Sequence, residues 1–155
     1  MSEIFYYHLT ESRLEQALPG LLERSLERGW NVVVQSGDEK QLNVLDEHLW
    51  TFRDDSFLPH GVRDDGTGKG ASEPSEQPIW ITASDENPNS ASIRFLVHGA
   101  SLENMDGYTR IVRMFDGHDP DAVTSARERW KVEKDAGHEL TYWQQGEGGG
   151  WEKKA

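Results

Sequence analysis

Arg127, Trp130 and Lys134 stand three and seven residues apart in ARERWKVEK, so on a helix they share one face. A guanidinium and an ammonium beside an indole make a site for an anion that carries an apolar end. The surrounding segment, 110–134, holds Arg110, Arg113, Arg127, Arg129, Lys131 and Lys134 against Asp116, Asp119, Asp121, Glu128 and Glu133. Six cations against five carboxylates leave it slightly positive in a chain whose total charge is −12. So short a basic patch suits an acidic peptide better than a nucleic acid, which needs a longer basic track. The plain alternative is a helix with ordinary charge pairs whose apolar side, Val123, Ala126 and Trp130, packs into the core. The pattern alone leaves both open.

A second stretch, LWTFRDDSFLPHG at 49–61, gathers Trp50, Phe52, Phe57 and Leu58 around Arg53, Asp54 and Asp55. It has neither helical nor strand periodicity. Its aromatics either pin a long connection back onto the sheet or anchor a protein interface, where such residues carry most of the binding energy.

The remaining motifs carry no chemistry. GTGKG at 66–70 resembles a phosphate loop, which requires GxxxxGK and then Ser or Thr between a strand and a helix. Here Lys69 is followed by Gly70 and Ala71, and the first strand runs into HLTESR without a glycine fingerprint. The six histidines show no HxxxH or HExxH spacing and have no cysteine to assist them, so neither a metal site nor a cofactor is expected. No Ser–His–Asp constellation stands out. The sequence writes no active site, and no catalytic residue is assigned.

Composition narrows the class further. A chain of 155 residues suits one domain, and its 35% hydrophobic residues cluster in short runs. No run reaches the length of a membrane span and the N-terminus lacks a secretion signal, which makes the cytoplasm the expected compartment. The absence of cysteine excludes disulfides, thiolate nucleophiles and thiolate metal sites. With a net charge of −12 and a pI near 4.8, the overall field repels nucleic acid, so strong direct binding to it is not expected.

The elements that must position these residues alternate in type. IFYYHL (4–9) reads as a buried strand, and Thr10 as the cap of a helix marked by Leu14, Leu18, Leu21 and Ser25 or Leu26. Pro19–Gly20 predicts a kink or break in that helix, and Gly29 its stop. WNVVVQ (30–35) predicts a strand; Ser36 and Glu39 have capping-box spacing before the Leu42, Leu45, Leu49 stripe that ends at Trp50. A polar loop (61–78) precedes strands at 79–82 and 92–99. Helices are expected around 104–116 and over 120–136, then a strand at 139–145. Residues 1–145 form the expected domain, and 146–155 a flexible glycine-rich tail in which Trp151 has no role. The alternation predicts an α/β fold of Rossmann-like three-layer type, a mainly parallel sheet with helices on both faces.

LDEHLWTFRDDSFLPHG, then QPIWIT, then ARERWK, in this order and spacing, resemble the chi subunit of bacterial DNA polymerase III holoenzyme. The resemblance covers nearly the whole chain apart from the glycine-rich tail. It implies a non-enzymatic adaptor of the clamp-loader assembly that pairs with the psi subunit and binds the acidic C-terminal tail of single-stranded DNA-binding protein. It maps the tail site onto Arg127 and Trp130 and the partner interface onto Trp50 and Phe57; Phe115, Arg113, Lys131 and Lys134 are expected to join the first as neighbours, and Leu49 and Leu58 the second. Two positions depart from the family habit: Val123 stands where a lysine is common, and Trp130 where tyrosine is. The alternatives are a small nucleotide-dependent enzyme on a Rossmann-like sheet, or an adaptor serving a repair helicase through the same surfaces.

Overall fold

In the computed structural model, which describes residues 3–51, 61–62, 78–102, 107–147 and 150–154, strands and helices alternate as expected. Their order is β1 (Glu3–Leu9), α1 (Leu14–Glu27), β2 (Val32–Ser36), α2 (Leu42–Thr51), β3 (Gly61–Val62), β4 (Ile79–Thr82), β5 (Ile93–Val97), β6 (Arg110–Asp116), α3 (Pro120–Asp135), β7 (Glu139–Gln145) and β8 (Trp151–Lys153). One sheet of order β3-β4-β2-β5-β6-β1-β7-β8 holds all the described strands. Every neighbouring pair is parallel except β7–β8. This is the mainly parallel, Rossmann-like α/β arrangement.

Strand parity assigns each side chain to a face. Tyr7, Val32, Val34, Ile79, Ile81, Phe95 and Val112 pack under Leu18, Leu21 and Leu22 of α1 and Leu42 and Leu45 of α2. Ile4, Tyr6, Leu96 and Ile111 face the other way, against Ala126 and Trp130 of α3. The central strands are buried on both faces, which is why they read as unbroken apolar runs rather than as alternations.

Several expectations are corrected. Pro19 does not interrupt α1, which is continuous. An interior proline costs ~3 kcal/mol, but burying each of Leu18, Leu21 and Leu22 returns about 1.5–3 kcal/mol, so tertiary packing overrides the local defect. Thr10 does not cap α1; Arg13 holds that position. Ser36 does not form the box with Glu39, because its hydroxyl donates to the Asp38 carbonyl and Asp38 caps the 3-10 turn Glu39–Gln41 instead. The helix expected around 104–116 is a strand over its second part: Arg110–Asp116 lies between β5 and β1, where Ile111, Val112 and Met114 are buried from both sides.

The tail is not wholly loose either. Trp151–Lys153 adds an antiparallel strand to β7, and Trp151 meets Tyr7 edge to face at 4.7 Å between ring centroids. Trp151, silent in the sequence pattern, thereby extends the core under α1. Among the described residues, no helix is long and apolar enough to cross a membrane.

Candidate functional site

α3 begins where β6 ends. Asp119 caps it by accepting from the Asp121 and Ala122 amides, Pro120 supplies the preset first turn, and Gly137, at φ +90, follows its end. Rooted this way, the helix runs back along the sheet and is held there by Ala126, Trp130 and Glu133. Arg127 is left exposed one turn before the half-buried Trp130.

Three parallel strands supply the wall beneath. The register sets His8 of β1 opposite Phe115 of β6, and Tyr6 opposite Tyr142 of β7. Trp130 meets Tyr6 and Tyr142 edge to face at 5.3 and 5.7 Å. Phe115 meets Tyr142 at 6.2 Å and His8 at 4.9 Å, and His8 Nδ1 shares a 2.6 Å hydrogen bond with the Tyr142 hydroxyl. Gly117 lets the turn after β6 close over this group, since a Cβ there would collide with the His8 ring. Arg127, Trp130 and Phe115 are thus brought together as the sequence suggested, with Tyr142, Tyr6 and His8 added. Those three were legible only through strand parity, which puts them on one face once β1 and β7 are neighbours.

The electrostatics of the cluster point to Arg127. Burial holds the His8 imidazole below its usual value, and the Arg127 and His118 charges push it lower, against Asp116. Burial raises the Tyr142 phenol, and Arg127 opposes the rise. Lys131 and Lys134 are exposed one and two turns further along the same helix face.

Arg113 has a different place. It is buried and its Nε donates to Glu133 Oε1 at 2.7 Å, while the Tyr6 hydroxyl donates to the same oxygen at 3.0 Å. Burial and the Glu133 carboxylate raise the Tyr6 phenol, keeping it neutral. Its Nε is therefore committed to an internal partner that fastens α3 to β1 and β6.

The other flank of α3 borders a cavity of about 1220 Å³ at the C-terminal ends of β1 and β6, where the chain leaves toward opposite faces. In open α/β sheets such a switch point is where nucleotides bind. Here it is lined by Glu11, Asp38, Asp116, Asp119, Asp121 and Glu128 against Arg13, Arg113 and Arg129, an acidic rim that repels phosphate. The amides of Thr10, Glu11 and Ser12, which would face a phosphate, all donate to Gln145 Oε1 at 3.0–3.1 Å. The chain fills its own anion cradle with a neutral amide. No group of three His, Asp or Glu side chains that could hold a metal occurs among the described residues.

Of the second expected surface, only the backbone of α2 is placed by the structure. Leu49 and Trp50 belong to the last turn of α2, which packs on the face opposite α3. Phe57, Leu58 and Lys69 lie outside the described residues.

Comparison with known proteins is consistent with this architecture. The family model for the DNA polymerase III chi subunit, HolC, matches residues 1–141. The chain is 28% identical over 130 residues to DNA polymerase III subunit chi of Escherichia coli, covering 83% of this chain and 84% of that protein. It is 25% identical over 123 residues to the Pseudomonas aeruginosa DNA polymerase III subunit chi, covering 77% and 78%. Against the probable DNA polymerase III subunit chi of Rickettsia prowazekii it is 26% identical over 115 residues, covering 74% of this chain and 66% of that protein. With a family match that takes in every described helix and all but the end of the described sheet, the chain belongs to the DNA polymerase III chi subunit family.

Proposed function

We propose that this chain is a non-catalytic accessory subunit of the replicase that docks the acidic C-terminal tail of single-stranded DNA-binding protein on α3, and a psi-like clamp-loader partner on the Trp50 surface. The observation that carries the reading is the exposed Arg127, one helical turn before Trp130 and with its charge felt at His8 and Tyr142, beside an aromatic wall built by separate elements: Trp130, Tyr142 and Phe115. Arg127 takes the terminal carboxylate through two parallel N–H···O bonds, a geometry its planar guanidinium matches. The wall takes the terminal apolar side chain, whose burial is worth roughly 1.5–3 kcal/mol. Lys131 and Lys134 meet the acidic residues upstream, where exposed ion pairs contribute about 0.2–1 kcal/mol each and weaken with salt.

A bridge needs two surfaces that do not overlap, and the sheet lies between α3 and α2. The acidic switch-point cavity and the Gln145 plug weigh against the nucleotide-dependent alternative. The net charge of −12 keeps the chain itself off the DNA strand, so that the partner's tethered tail makes the contact.

The test pairs the two surfaces. Trp50→Ala with Phe57→Ala is expected to abolish binding of the clamp-loader partner, read by size-exclusion chromatography. The same variant keeps wild-type affinity for a labelled tail peptide, read by fluorescence anisotropy. Loss of both activities with an unchanged circular dichroism spectrum would show one shared surface and overturn the reading.

A further inference from the structure

A second arginine–aromatic site lies on the opposite face and at the opposite end of the sheet. Arg110 of β6 stacks over Phe5 at 4.0 Å and over Trp30 at 5.2 Å, and Arg28, at the end of α1, stacks over Trp30 at 5.2 Å. Together with Arg24 they border a cavity of about 190 Å³ whose floor includes Tyr7 and Trp143, with Trp151 of the added strand at its wall. The Tyr7 phenol, raised by burial, is drawn back by all three guanidiniums, which shows that their charges converge there.

Two features suit the cup to an anion. Arg110 Nε and Trp143 Nε1 are buried without a hydrogen-bond acceptor among the described residues, although buried donors are nearly always paired. Arg24 and Arg28 make no ion pair among the described residues, and Arg110 meets Glu3 only at 3.5 Å. In a chain of net charge −12, three guanidiniums around one aromatic cup run against the general field. The negative end of the α1 dipole, about half a charge, falls well short of cancelling them.

We propose that this cup is a second docking site for a carboxylate side chain of an acidic peptide segment, with an adjacent apolar residue resting against the Trp151 wall. The cavity is smaller than the ~300 Å³ at which sites for drug-sized ligands begin, so it admits one compact group and not a nucleotide. A carboxylate is planar, as the guanidiniums are, and its single charge meets less repulsion from the acidic surface than a phosphate would. A strand of nucleic acid lacks the longer basic track it would need.

The test uses the whole chain carrying Arg127→Ala, which removes the α3 site from the measurement. The probe is an N-terminally dansylated peptide of two aspartates and one phenylalanine, amidated at its C-terminus so that only side-chain carboxylates remain. Saturable binding at low salt is expected, weakened about tenfold by Arg24→Gln with Arg28→Gln. Both arginines are exposed, so the fold should persist, and circular dichroism checks it. Absence of binding, or binding that survives the double substitution, would overturn the proposal. Inorganic phosphate that displaces the peptide at equal concentration would assign the cup to another anion and overturn the peptide as its occupant.

Discussion

Arg113 and Arg127 sit on neighbouring elements around the same aromatic group, yet they have opposite surroundings. Arg113 comes from the middle of β6, is buried, and is bonded to Glu133 and through it to Tyr6. Arg127 comes from the second turn of α3, is exposed one turn before Trp130, and its charge is felt at Tyr142. The inner arginine holds the helix on the sheet; the outer one has no hydrogen bond or ion pair among the described residues. The difference teaches that a basic patch counted along the sequence is not a basic surface, because strand parity removes part of it into the core.

The comparison breaks most readily from the inside. Glu133→Ala strands the buried Arg113 charge and frees the Tyr6 hydroxyl from its acceptor, and is expected to destabilise the domain by about 3–5 kcal/mol. Urea unfolding measures it. A loss as small as that of an exposed glutamate would show that the inner arginine is not committed to Glu133.

A smaller effect sharpens the outer half. The folded His8 imidazole binds its proton less readily than the unfolded one, first because of burial and then because of Arg127 and His118. Between the usual value of 6.5 and the lowered folded value, the unfolded state therefore holds more protons, and stability falls as pH drops through that window. Below the folded value this contribution is flat. Arg127→Ala removes one of the lowering charges, so the His8 titration, followed by NMR, should move up toward 6.5. An unmoved titration would place Arg127 away from the aromatic group.

Legibility followed the strength of local pattern. β1, β2, β4 and α3 were readable because β-branched or aromatic runs and a Pro120-to-Gly137 frame coincide with their final packing. β6 was not, because TRIVRMFD spaces charge and apolar side chains as a helix does as readily as a strand, and its place between β5 and β1 is decided by distant residues. Arg94 was equally opaque: it is fully buried, satisfied by Gln35, the Ser84 and Glu86 carbonyls and the Tyr108 hydroxyl, none of which is adjacent in sequence. Trp151 looked idle because a strand of three residues after a glycine run has no periodicity to detect. Arg127 and Trp130 were paired by one helical turn, whereas Tyr142 and His8 joined them only through the order of the sheet.

The most direct test of the α3 site is a double-substitution cycle across the interface. Wild type and Arg127→Ala are each titrated with the C-terminal peptide of the single-stranded DNA-binding protein, as the free acid and as the C-terminal amide, by fluorescence anisotropy. If Arg127 grips the terminal carboxylate, each change alone weakens binding about tenfold and the two together hardly more than one, because both remove the same contact. Losses that simply add would mean that the carboxylate is held elsewhere and would contradict the account.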